Sequence, residues 1–252
     1  MKTNHAYHAD TAKILARLSD YVYTDARDAI AGALYLGADR AHFVERDETE
    51  TLIGAFGQDV FVTWRGTEPG TLRDLLTDAR VVLCSTEGIT GAVHAGFASS
   101  VANTWDDVLE VVDSFIGRDG FVFFGGHSKG GAEALLAAKR YSDGGRFNVG
   151  AVHVFGTPAV GGREFSEGYE RTIGDRTFRH VHRSDWVARS PAVLRVLGIY
   201  RHVGRVVYHV GDGRRTFRPH PLRLFLDGVR ALSRRRGIDD HGVLHYVRGA
   251  AA

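Results

Sequence analysis

The chain has 252 residues, 44% of them hydrophobic, with 31 glycines. That is enough apolar material for one full core, and the glycines suit many strand-to-helix turns. A formal net charge of +2 argues against a general affinity for polyanions, a lone cysteine, Cys84, excludes an internal disulfide, and no run approaches the roughly 18 apolar residues of a membrane span.

The first predicted element is an amphipathic helix in A-D-T-A-K-I-L-A-R-L-S-D-Y-V-Y, with one face packed on a sheet. It lacks the apolar stretch of a signal peptide, which predicts a cytoplasmic location unless a leader has been removed. A strand from Asp59 to Trp64 ends at a turn containing Gly66 and Thr67. Residues 68–78 then set Leu72, Leu75 and Leu76 at i, i+3 and i+4, one apolar face of a short helix, with Arg73, Asp74 and Asp78 on the polar face. Such a helix either packs its leucines permanently or moves as an apolar cover. Next comes V-H-A-G-F at 93–97, read as a strand.

Residues 121–131 read F-V-F-F-G-G-H-S-K-G-G, an apolar run stopped by glycines around one serine and followed by the helix-forming A-E-A-L-L-A-A-K-R. This is a strand, a sharp turn and a helix, with Ser128 at the apex. A nucleophile on so tight a turn needs small neighbours two residues to either side, here Gly126 and Gly130. The first helical amides would face an oxyanion formed when the serine attacks a carbonyl. A glycine-rich turn that happens to hold a serine, or a phosphate-cradling loop, shares the pattern, but the G-K-[ST] ending of a nucleotide loop is missing.

Serine needs a histidine base, held in the right tautomer by an acid. In the chain order Ser, acid, His, the best acid is Asp185, in the loop after a predicted strand over 178–181; Asp175 precedes that strand, in a turn. Five histidines follow: His202, His209, His220, His241 and His245. Chain order does not choose among them. His202 and His209 lie in a β-branched stretch read as a strand or hairpin, and His220 lies between prolines in a loop. His241 sits where an irregular segment meets a short terminal helix, a placement that suits a base. Residues 143–148 and 211–218 read as loops within a single domain over 1–252. Arginines dominate from Arg195 to Arg236, a solvated face or one that attracts anionic lipid headgroups; no nucleic-acid reading motif accompanies them.

From about Thr63 to Tyr246 the chain resembles the lipase class 3 family, fungal-type triacylglycerol lipases and their bacterial relatives. The resemblance rests on T-W-R-G-T at 63–67, V-H-A-G-F at 93–97, G-H-S-K-G-G at 126–131, V-F-G-T-P-A-V-G at 154–161, S-D-W-V-A-R-S-P at 184–191, Y-R-H-V-G at 200–204 and D-H-G-V-L-H-Y at 240–246, in the family's order. It implies an α/β-hydrolase fold, a mostly parallel central sheet with helices on both faces. It implies Ser128 as nucleophile, Asp185 as acid and His241 as base with Tyr246 five positions on, His245 remaining the alternative base. It implies an oxyanion hole from the amides of Thr67 and Lys129, whose side chain is then free to vary, and a lid over 68–78, where Leu75 stands near the place of the family's usual tryptophan. The implied substrates are lipid or carboxylic esters, with transient contact at a lipid interface and no cofactor or metal. His94, His127 and His202 are read as scaffold. A carboxylesterase without interfacial activation and a non-catalytic lipid-binding relative are the alternatives.

Overall fold

The computed structural model describes residues 7–67, 82–146, 148–183, 185, 187–189, 199–211, 214–217 and 241–251. Two helices, α1 (Ala9–Tyr21) and α2 (Ala26–Tyr35), precede three strands, β1 (Arg40–Arg46), β2 (Thr49–Phe56) and β3 (Asp59–Trp64). A ribbon of β4 (Leu83–Thr86) and β5 (Ile89–His94) leads into α3 (Ala95–Phe115). Strand–helix units follow: β6 (Val122–His127), α4 (Lys129–Asp143), β7 (Val149–Phe155), α5 (Arg163–Thr172) and β8 (Thr177–His182). Then come β9 (Arg205–Gly211), β10 (Arg214–Thr216) and α6 (Val243–Ala251).

The eight-stranded sheet runs β1-β2-β3-β6-β7-β8-β9-β10. Its centre, β3 to β9, pairs in parallel, and both margins are antiparallel. Strands covered on both faces read as nearly continuous apolar runs, and period-two alternation divides those runs between two cores. Val60, Val62 and Trp64 of β3 join Val122 and Phe124 of β6 on one face, while Phe61 and Phe155 face the other. The first face is covered by α3, α4 and α5; Val101, Trp105, Val108 and Val112 recur at helical spacing along α3 and are buried there. The second is covered by α1, α2 and α6, with Leu15, Leu18 and Val22 meeting Tyr246, Val247 and Ala250. Each such buried side chain contributes about 1.5–3 kcal/mol of transfer free energy.

Three details depart from the sequence reading. The V-H-A-G-F strand stops at His94, whose Nδ1 accepts the Gly96 amide at 3.1 Å and caps α3, so Ala95–Phe97 are helical. The expected loop over 211–218 contains β10, an edge strand whose arginines hide any apolar alternation. His202 lies just before β9 rather than within it. Residues 68–78, with Leu72, Leu75 and Leu76, lie outside the described residues, as does His220.

Candidate active site

Ser128 stands between β6 and α4 with φ 59° and ψ −125°. A non-glycine residue held at positive φ stores about 1–3 kcal/mol, which the surroundings must offset. Its amide donates to the Phe155 carbonyl at 2.9 Å, and its carbonyl accepts the Gly131 amide at 3.1 Å. Close approach explains the flanking glycines: a Cβ on Gly126 would lie 2.4 Å from the Gly130 carbonyl, and one on Gly130 2.0 Å from the Trp64 oxygen. Ser128 is fully buried, and its Oγ has no hydrogen-bond partner among the described residues.

Asp185, also fully buried, follows β8 as expected. Its Oδ1 accepts the amides of Val187 at 2.9 Å and Ala188 at 3.4 Å. Its Oδ2 accepts the Tyr246 hydroxyl, which in turn accepts the His182 amide at 3.1 Å. His241 Nδ1 lies 3.0 Å from Asp185 Oδ2 and 3.1 Å from Oδ1. A carboxylate only accepts, so Nδ1 carries the imidazole proton and Nε2 is left bare. Nε2 is buried and, among the described residues, without a partner.

The rival residues sit elsewhere. Asp175 belongs to a short 3₁₀ turn, Gly174–Arg176, half exposed and 3.5 Å from Arg176. His209 lies in β9 and pairs with His180, and His245 stacks on His182 with ring centroids 4.9 Å apart. Among the described histidines downstream of Ser128, His241 is the one bonded to Asp185.

Two neighbours matter whose roles the sequence did not give. Tyr246, set five positions after His241 by the resemblance, holds Asp185. Gly156, with φ +60°, packs against the Asp185–His241 pair: a Cβ there would lie 2.7 Å from Asp185 Oδ2 and 3.0 Å from His241 Nδ1. Gly156→Ala is therefore expected to displace one partner of the pair and to add positive-φ strain of about 1 kcal/mol or more. The measurements are Tm and ester turnover, and turnover within twofold of wild type would show that the pair tolerates the methyl group.

A cavity of about 310 Å³ opens beside this pair, lined by Tyr23, Thr67, His127, His241, Val243 and Leu244 among others. Thr67 thus reaches the site, and the Lys129 amide lies in the first turn of α4 next to Ser128. The Lys129 side chain lies 2.9 Å from the fully buried Glu133, whose carboxyl pKa burial pushes up. His127 Nε2 donates to the His241 carbonyl at 2.6 Å. Burial holds the His127 pKa well below its ordinary value, and positive charge on His241 lowers it further. Among the described residues no group of three or more His, Cys, Asp or Glu side chains is placed to hold a metal ion, and no helix is long and apolar enough to cross a membrane.

The fold is shared with solved lipases. A triacylglycerol lipase described as having a serine-protease triad at its catalytic centre superposes with a TM-score of 0.66 at 22% identity, over 81% of each chain. The lipase of Rhizopus microsporus var. chinensis gives 0.62 at 25% identity, over 81% of this chain and 73% of that one. In sequence, a lipase of Caenorhabditis elegans is 33% identical over 144 residues, 56% of this chain and 40% of its own length. A secreted mono- and diacylglycerol lipase of Malassezia restricta is 33% identical over 120 residues, 45% of this chain and 38% of its own. The chain thus spans about two fifths of the length of these relatives, and the expected cytoplasmic location finds no support among them. The model of the family described as lipase (class 3) matches residues 61–195, just over half of the 252 residues and the stretch that holds both the Ser128 turn and Asp185. On that match, the chain belongs to the lipase (class 3) family.

Proposed function

We propose that the protein is a serine ester hydrolase acting on lipid or carboxylic esters. One observation carries this reading: a buried, strained serine opens a helix beside a buried Asp185–His241 pair whose tautomer leaves His241 Nε2 free to take a proton. In the proposed reaction Ser128 Oγ attacks the ester carbonyl while its proton passes to His241 Nε2. The resulting oxyanion is held by the amides of Thr67 and Lys129, aided by the positive end of α4. Asp185 stabilises the imidazolium through Nδ1–H without taking the proton itself. His241 then protonates the leaving alcohol, giving an acyl-enzyme on Ser128. Water, deprotonated by the same nitrogen, attacks that ester, and the acid leaves with Ser128 regenerated.

Ser128 Oγ and His241 Nε2 make no hydrogen bond to each other, and catalytic contacts of this kind often tighten only in the substrate complex. The leucines at 72, 75 and 76 are proposed as an apolar cover over the acyl chain, and residues 1–252 as one hydrolase domain. The test is hydrolysis of p-nitrophenyl esters from acetate to palmitate by the purified protein, paired with a serine-directed phosphonate followed by mass spectrometry. Turnover with a single adduct on Ser128 is the expected result. A folded protein that neither hydrolyses any ester in the series nor takes up the phosphonate would overturn the reading in favour of a non-catalytic lipid-binding protein.

A further inference from the structure

We infer that His127 and Tyr23 are positioning residues for the base, fixing the backbone of His241 from the residue next to the nucleophile. The inference rests on the proposed role of His241. His127 is the last residue of β6, so its backbone is held in the central sheet one peptide before Ser128. Its imidazole reaches across to the His241 carbonyl, with 2.6 Å between Nε2 and the oxygen. A carbonyl only accepts, so Nε2 carries the proton and Nδ1 is bare. The hydroxyl of Tyr23, from the turn after α1, lies 3.0 Å from that bare nitrogen and donates to it. The chain of donors therefore has one direction: Tyr23 hydroxyl to His127, then His127 to the His241 backbone.

That direction has two consequences. Tyr23 lines the same cavity as Thr67 and His241, yet its single proton is committed to His127. It therefore cannot also serve the oxyanion, and its contribution passes through His127. Second, His241 is gripped at two points, its carbonyl by His127 and its ring by Asp185, while the residues before it lie outside the described part of the chain. Two anchors at different atoms fix both the height of the residue and the rotation of its ring. The His127 and His241 rings are also close neighbours, with centroids 4.5 Å apart and planes tilted by 33°. A neutral His127 is therefore needed when His241 gains its proton, and burial keeps it neutral.

The test is a set of variants read by kinetics and by nitrogen-15 imidazole spectra. His127→Phe keeps a ring and loses the donor; kcat is expected to fall about 10–100-fold with little change in KM, because misplacing the base by a fraction of an ångström acts on the chemical step alone. His127→Gln, which can donate an amide N–H to the same carbonyl, is expected to recover most of that loss. Tyr23→Phe should lower kcat about fivefold, the worth of one supporting hydrogen bond. A purely structural role would lower Tm in all three without separating kcat from KM or rescuing the glutamine. His127→Phe that folds and keeps kcat within twofold of wild type overturns the inference. The spectra decide independently of catalysis: His127 should be the Nε2–H tautomer, and an Nδ1–H tautomer overturns the anchor even if the protein hydrolyses no ester. Absence of turnover and of phosphonate labelling at Ser128 in the wild type, with His127 as the Nε2–H tautomer, would count against the proposed function while leaving the anchor standing.

Discussion

Ser128→Ala is expected to fold normally and to lose roughly three orders of magnitude or more in kcat for any ester that the wild type cleaves. The change removes one oxygen from a fully buried position where that oxygen has no partner among the described residues, so little stability is at stake. On the proposed mechanism, what disappears is the attacking atom. The residual rate reflects binding and oxyanion stabilisation alone. His241→Ala should fall about as far, since an unactivated serine is a poor nucleophile, and the double variant should fall little further, because the groups act as one unit. His245→Ala removes a stacking partner of His182 and should affect mainly stability. Turnover above a tenth of wild type in Ser128→Ala, or a dead His245 variant beside a working His241 variant, would reverse the assignment.

A second large effect is expected from acid. His153 Nδ1 lies 3.0 Å from His180 Nε2, and His180 Nδ1 lies 2.9 Å from His209 Nε2, a buried row crossing β7, β8 and β9. Burial lowers all three pKa values, to about 3 for His153 and His209 and well below the ordinary value for His180, and it lowers that of His127 as well. These groups stay neutral in the folded protein but titrate near pH 6.5 once unfolded. The sign follows: their stabilisation is fully present above that pH and is lost as pH falls below it, because only the unfolded chain takes up protons. Each histidine costs about 1.4 kcal/mol per pH unit in this window, so the four together remove about 5 kcal/mol per unit. With about 5–15 kcal/mol available to an ordinary domain, the protein should unfold between roughly pH 6 and 4. Urea unfolding followed from pH 8 downward measures the slope. A free energy that stays flat between pH 7 and 5.5 would mean that these imidazoles are protonated in the folded state.

Local signals made the Ser128 turn legible. Its apolar strand, its two crossing glycines and its helix formers lie within one short window, and each local choice agrees with the others. Asp185 could be read from its position after a strand. His241 could not be chosen from five histidines by order, because what distinguishes it is a bond to a residue far back in the sequence. Tyr246 and Gly156 sit in motifs, but their roles depend on contacts across the sheet. Tyr23 carried no signal at all: a tyrosine after an amphipathic helix reads as packing, and only the folded chain brings its hydroxyl to His127. The buried row of histidines was equally silent, since three residues on three strands become neighbours only when the register is set. The ion pair of Lys129 was silent for a related reason. Its partner Glu133 lies one turn further on and is fully buried, which only the packing of the helix determines.

The helix α6 packs on α1, and its first turns bring Tyr246 and His241 onto residues set more than fifty positions earlier. During vectorial synthesis, then, the Ser128 turn and the strands from β3 to β9 can form before residues 241–251 emerge, so the proposed base and the tyrosine that holds Asp185 join the site only afterwards. On the proposed reading, hydrolytic activity waits on the docking of α6 against α1, a step separate from the formation of the Ser128 turn.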